Sequence, residues 1–230
     1  MKTVAVIVAA GRSERFGGPV PKQFHEIAGR PVLAWTIQRF EAATSIDSIL
    51  LVVGEDQLLY VGEKVIDPFG YTKVSKIVPG GASRQESVLK GLNRLPISTE
   101  LVAIHDGARP LIDPADINAV VAIAEQDGAA MLATKMTDTV KRAKDGYVLS
   151  TLDRNELFLA QTPQVFGYDL IIEAHKRAAK EGLEVTDDAA LIEAAGFKVR
   201  LVESQYPNQK VTTREDLMLV STFFAGEANE

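Results

Sequence analysis

Apolar residues along the first half of this chain fall into two alternating kinds of run. One kind is short and almost unbroken. TVAVIVAA (3–10) and SILLVVG (48–54) are such runs, and their β-branched content suits strands buried on both faces. VSKIVPG (74–80), ELVAIHDGARP (100–110) and AAMLATKM (129–136) read as further strands. The other kind of run spaces its apolar positions at the helical period, and predicts helices over 31–43, 55–66, 83–95 and 113–128. Two of these carry start signals: Ser83 with Glu86 three residues on, a capping-box pattern, and Asp113 before Pro114. The alternation predicts an α/β fold with a mostly parallel sheet and helices on both faces. Ligands of such sheets sit beyond the carboxyl ends of the strands.

The rhythm breaks at 137–165. Polar, Thr- and Val-containing segments flank a turn at Lys144-Asp145-Gly146, which predicts a β-hairpin protruding from the main sheet. A hairpin carrying Leu149, Leu152, Leu157 and Phe158 needs a cover, either its own body or a second subunit. Helices at 169–181 and 186–195, a strand at 198–204, the loop QYPNQKVTT and a last helix from Arg214 follow. No repeat, low-complexity tract or linker divides the chain. A single domain over 1–230 is therefore expected, with 137–160 as its arm.

Composition narrows the partners. Of 230 residues, 46% are hydrophobic and 24% charged, an ordinary globular balance. No apolar run approaches the ~18 residues of a transmembrane helix. The opening MKTVAVIVAAG runs straight into a glycine loop and does not read as a signal peptide. Cysteine is absent, which excludes disulfide and thiolate chemistry and is compatible with the cytoplasm, the expected location. A net charge of −6 argues against nucleic acid and anionic membrane as partners. Any polyanion must then meet a local cluster of cations. His25, His105 and His175 are scattered, with no zinc-site spacing.

Such a cluster stands directly after the first strand. VAAGRSERFGG (8–18) is neither a P-loop nor a dinucleotide fingerprint. Gly11 lets the backbone turn sharply and bring N–H groups close to phosphates. Arg12, Arg15 and, in PKQF, Lys22 add charge. A nucleoside triphosphate carries about four negative charges and a phosphate monoester about two, so transfer between them needs amides and cations at the reacting phosphorus. Asp106 ends a strand, where it can cap the next turn or hold Mg²⁺. His105 reads as a packed residue. GGASRQESV (80–88) leads into a helix N-terminus, which attracts anions. There Ser87 and Arg84 could read a base or sugar, while Ser83 has a capping role. Lys210, in NQKVT, is by itself a surface lysine.

Taken together, AAGRSERFGGPVPKQF, GGASRQESVLKGL, HDGARP, TDTVK, LDR, AQTPQVF, TDDA and NQKVTTREDL resemble, in order across 9–217, the 2-C-methyl-D-erythritol 4-phosphate cytidylyltransferases. The resemblance implies a Rossmann-like nucleotidyltransferase fold and a homodimer with exchanged arms. It also implies CTP and 2-C-methyl-D-erythritol 4-phosphate as substrates, Mg²⁺ as cofactor, and a place in non-mevalonate isoprenoid synthesis. By motif, Arg15 and Lys22 would stabilise the charged transition state at the α-phosphate, and Lys210, the third catalytic residue, would complete the cationic cluster. Ala9, Ala10, Gly11, Gly81 and Ser87 would surround CTP, with Asp106 near the metal. Thr139 and Arg154 on the arm, with Thr186, would bind the acceptor. Ser13 stands where the family often has a second glycine, and Gly107 where alanine is frequent. The alternatives are a ribitol 5-phosphate cytidylyltransferase, which shares the CTP half of the site, and a non-catalytic nucleotide-binding protein on the same fold.

Overall fold

The computed structural model describes residues 2–225. In chain order, β1 (Thr3–Ala9) leads through a long loop to the short pair β2 (Glu26–Ile27) and β3 (Arg30–Pro31), then α1 (Val32–Ala42) and β4 (Ser48–Val53). A broken helical stretch contains α2 (Leu58–Val61), followed by β5 (Val74–Pro79), α3 (Arg84–Leu92), β6 (Leu101–Asp106), α4 (Pro114–Asp127) and β7 (Ala129–Lys135). The hairpin β8 (Lys141–Lys144) and β9 (Tyr147–Thr151) comes next. The chain ends with β10 (Phe158–Gly167), α5 (Tyr168–Glu181), α6 (Asp188–Ala194), β11 (Arg200–Glu203) and α7 (Arg214–Phe224).

The seven main strands lie in the order β11-β7-β10-β6-β1-β4-β5. β10 runs antiparallel to both neighbours, and the other pairings are parallel. Alternate side chains of each central strand enter two different cores, which is why these strands read as unbroken apolar runs. Ala5, Ile7 and Ala9 of β1 pack with α1 and α4, and Val6 with α3, α5 and α6. Phe16, Trp35, Val211, Val220 and Phe224 form a third cluster beside the carboxyl edge of the sheet.

Helix starts follow local chemistry. Asp113 accepts a hydrogen bond from the Ala115 N–H at 2.8 Å and Pro114 opens α4, which Gly128 closes in the left-handed region at φ 80°. Ser83 caps α3 by accepting from the Glu86 N–H at 3.1 Å, but the Glu86 carboxylate reaches Ala82 N–H instead of completing a reciprocal box.

Three sequence expectations change. The helix expected over 55–66 is broken into 3₁₀, α and π turns that run on to Phe69. The hairpin is smaller than 137–165: its turn falls at Asp145-Gly146 as expected, but residues from Phe158 onward form β10 in the middle of the main sheet. The sharp turn expected at Gly11 falls at Ser13, which has φ 59° and accepts from the N–H groups of Phe16 and Gly17.

Candidate active site

The carboxyl ends of β1, β5 and β6 open into a cavity of about 600 Å³, a size that fits a nucleotide. Ala9, Ala10, Gly11, Arg15, Lys22, Gly81, Ser87, Asp106 and Lys210 all line it. Thr139, Arg154 and Thr186 do not. Thr139 and Arg154 are exposed on the arm, where Arg154 Nη1 donates to the Thr137 carbonyl at 2.6 Å. Thr186 is exposed just before α6.

The loop after β1 is fastened at three points. Ser13 Oγ accepts from the Lys22 backbone N–H at 3.1 Å and donates to Gln23 Oε1 at 3.3 Å. Gln23, almost fully buried, donates from Nε2 to the Ala9 carbonyl at 2.7 Å. Phe16 is buried in the third cluster, with its ring 4.8 Å from that of His25. Arg15 is thereby presented to the cavity by its inward-facing neighbour. On the facing wall Gly80 is required by close approach. A Cβ there would come within 2.4 Å of Ala10 Cβ and 2.9 Å of Ser87 Oγ.

Asp106 is the electrostatic centre. Lys210 Nζ lies 2.6 Å from its Oδ2, Arg84 Nε 3.1 Å from its Oδ1, and Arg109 Nε 3.7 Å from Oδ2. Burial alone would raise this carboxyl; the charges of Arg84, Lys210 and Arg109 and the Lys210 hydrogen bond outweigh it and hold Asp106 well below the usual carboxylate range. Lys22 is moved the other way. Burial first, then the charges of Lys210 and Arg15, lower its ammonium to about 8 against the pull of Asp106 and Asp216. The loop bearing Lys210 is itself held: Val211 N–H donates to the Ala108 carbonyl at 2.8 Å, and Asn208 Nδ2 donates to the Thr162 carbonyl at 2.9 Å.

His105 is fully buried, and burial lowers it to about 3. Its Nδ1 lies 3.0 Å from Thr162 Oγ1, which also accepts from the Asp106 N–H at 3.1 Å. It is a packed residue, as the sequence suggests. Sequence reasoning did not place Gln23, Gly80, Arg109 or Thr162 in the site, and did not foresee the ion pair of Arg84, which lines the cavity, with Asp106. PKQF and PGGAS contain the first two in plain view, but nothing in their types marks them.

Among the described residues no cluster of three His, Cys, Asp or Glu side chains could hold a metal. Asp106 and Glu14 are the carboxylates lining the cavity. This donor set does not make an all-protein cage. It fits magnesium in the form the ion takes with nucleotides, where one or two carboxylates complete a shell of phosphate oxygens and water. No helix among the described residues is long and apolar enough to cross a membrane.

The family model IspD, 2-C-methyl-D-erythritol 4-phosphate cytidylyltransferase, matches residues 3–225. The enzyme of that name from Pelotomaculum thermopropionicum is 46% identical over 217 residues, covering 94% of this chain and 91% of its own. Its counterpart from Clostridium novyi is also 46% identical, covering 94% of each chain. Among solved structures, 4-diphosphocytidyl-2C-methyl-D-erythritol synthase from Anaerococcus prevotii superposes with a TM-score of 0.86 at 30% identity, covering 97% of this chain and 96% of that one. With its mostly parallel sheet, its cation-lined cavity and matches of this extent, the chain belongs to the 2-C-methyl-D-erythritol 4-phosphate cytidylyltransferase family.

Proposed function

We propose that this protein transfers a cytidylyl group from CTP to 2-C-methyl-D-erythritol 4-phosphate. The products are 4-diphosphocytidyl-2-C-methyl-D-erythritol and pyrophosphate, in non-mevalonate isoprenoid precursor synthesis in the cytoplasm. The carrying observation is the cavity behind β1, which Arg15, Lys22, Lys210 and Asp106 line together in a member of this family.

A phosphate oxygen of the acceptor attacks the α-phosphorus of CTP. The new O–P bond forms as the bond to the bridging oxygen breaks, and its electron pair leaves with pyrophosphate. A phosphate monoester dianion is already a nucleophile, so no side chain has to take a proton. His105, which burial lowers to about 3, would in any case be a poor proton acceptor. The demand is electrostatic: two anions must meet, and charge builds on the phosphoryl oxygens. Arg15 and Lys22 face that charge from the loop after β1, and Lys210 faces it from the opposite wall. Gly80 lets its strand end pass close to Ala10 and Ser87, and Ala9, Ala10, Gly11, Gly81 and Ser87 line the nucleotide slot. Magnesium, arriving with the triphosphate and met by Asp106, would neutralise phosphate charge.

Thr186 and, from a second subunit, Thr139 and Arg154 would bind the acceptor in a homodimer with exchanged arms. The arm supports this reading: Tyr147, Val148 and Leu149 are 78%, 64% and 57% exposed in the single chain, a patch that calls for a cover.

Pyrophosphate release measured with CTP, ATP or GTP against 2-C-methyl-D-erythritol 4-phosphate and ribitol 5-phosphate tests the reaction. CTP with the branched acceptor should be the productive pair. Preference for ribitol 5-phosphate would replace the acceptor and keep the donor, and no release with any pair would leave a nucleotide-binding protein. Mixing two inactive variants, Lys22→Ala and Arg154→Ala, tests the shared site. With random two-fold pairing, half the dimers are mixed and each has one intact site, so activity should return to about a quarter of wild type. Mixed dimers as inactive as the parents would mean that each chain uses its own Arg154.

A further inference from the structure

His175 and Asp188 lie outside the cavity, and no step above uses them. Both are nevertheless buried, each with 1% of its surface exposed. Asp188, at the first turn of α6, accepts from Arg84 Nη1 at 2.7 Å through Oδ2. Its Oδ1 lies 3.2 Å from His175 Nε2 on α5. Arg84 continues to Asp106 through Nε at 3.1 Å, and Asp106 to Lys210 at 2.6 Å. An unbroken series of polar contacts therefore runs from helix α5 to the cation opposite Arg15 and Lys22.

An ionised Asp188 only accepts, so His175 donates through Nε2; its Nδ1 is buried and has no hydrogen-bond partner. The end of α6 that carries Asp188 is tied down independently. Gln164 of β10 donates to Asp187 at 2.9 Å and accepts from the Ala189 N–H at 2.9 Å.

Stability is a poor reason for this arrangement. Burying an ion pair costs desolvation, and apolar residues of equal volume commonly do as well. Geometry is a better one. Arg84 gripped only by Asp106 could pivot about that contact, whereas Arg84 gripped at Nη1 as well has its guanidinium plane fixed.

We propose that Asp188 and His175 are positioning residues. They hold Arg84 in the orientation that shares Asp106 with Lys210, and so set where the Lys210 ammonium stands. The effect on turnover rests on the reaction proposed above; the effect on Arg84 does not. Thr186, two residues before Asp188, places the acceptor segment on the same support.

The test compares His175→Gln with His175→Leu, and adds Asp188→Asn. Glutamine can donate to Asp188 where leucine cannot, while the apolar surroundings favour leucine. A packing role and a hydrogen-bonding role therefore rank the two variants in opposite order. His175→Leu should lose kcat on the order of ten- to a hundredfold, and His175→Gln should lose less. KM for CTP should change by less than about threefold, because the loss is in the reacting arrangement. Solvent exchange of the Arg84 Nε–H, followed by NMR, reads the contacts without turnover and should quicken in His175→Leu and in Asp188→Asn. Asp188→Asn keeps the side-chain shape and supplies the exchange result even if His175→Leu fails to fold. Leucine matching glutamine in kcat, or Arg84 exchange unchanged in Asp188→Asn, would overturn the proposal. An inactive wild type with the exchange differences intact would instead overturn the functional reading and leave the positioning in place.

Discussion

Replacing Lys22 by methionine should make the protein more stable and nearly inactive. Burial and the charges of Lys210 and Arg15 lower the Lys22 ammonium from the ordinary 10.5 to about 8. Across that window the unfolded chain binds more protons than the folded one, so stability rises with pH between those values. Below the lower value the folded protein carries the full cost of an awkwardly placed charge. At about 1.4 kcal/mol per pH unit that cost is at most about 3.5 kcal/mol. Water reaching the partly exposed ammonium reduces it to about 1–2 kcal/mol. Methionine keeps most of the apolar stem and drops the charge. The gain corresponds to about 3–6 °C in melting temperature near neutral pH. The same change removes a cation aimed at the transition state, worth about 10²–10³ in kcat. Melting curves and kcat measured together between pH 6 and 10 check both halves. The melting difference should be widest at the acid end and shrink as pH passes the lowered Lys22 value. A variant melting at or below wild type at neutral pH refutes the like-charge crowding. One that raises only KM for CTP makes Lys22 a ground-state binder.

Three further outcomes follow from the same geometry. Phe16→Ala removes the buried anchor of the loop after β1, so trypsin should cut after Arg12 and Arg15 much faster; an unchanged digestion rate would mean that the Ser13 and Gln23 contacts suffice. Gly80→Ala drives a methyl group against Ala10 and Ser87, and calorimetry should find CTP binding weaker by about 1–3 kcal/mol. Asp106→Asn takes a buried carboxylate away from partly exposed cations and should destabilise the fold by about 1–3 kcal/mol at neutral pH. Because the folded Asp106 value is depressed, its contribution is lost as pH falls below the ordinary 3.8. The melting gap should therefore close only in acid, and a gap independent of acid would refute the assignment.

Strands β1, β4 and β6 were legible because burial on both faces writes an unbroken apolar run. β10 was not. AQTPQVF places Gln161, Thr162, Pro163 and Gln164 where a central strand should be apolar and free of proline. The structure accommodates them with a register shift between Ala160 and Gln164 and gives the polar groups buried partners: Thr162 bonds to Asp106 N–H, and Gln164 to Asp187 and Ala189. The feature that disguised the strand is the one that braces the site. Arg15, Lys22 and Asp106 could be found from charge beside glycine at strand ends. Lys210 could not, because its approach to Asp106 depends on a loop 104 residues away closing over β6. Thr139, Arg154 and Thr186, proposed as acceptor residues and lying outside the cavity, rest on the family resemblance alone, since nothing in an exposed threonine or arginine announces a ligand.

The stem of the hairpin has a consequence for how such an enzyme diversifies. The chain leaves the sheet at Lys135 and re-enters beside it at Phe158, and a hydrogen bond of 3.1 Å from Met136 N–H to the Leu157 carbonyl closes the gap. Everything between those points is a cassette whose length and sequence can change without moving the pairing of β7 with β10. Doubling such an excursion costs only about 0.6 kcal/mol in closure entropy. The nucleotide slot is built from other strands altogether. If Thr139 and Arg154 bind the acceptor as proposed, a lineage could exchange the cassette, and with it part of the acceptor's binding surface, while the donor half of the enzyme stays as it was.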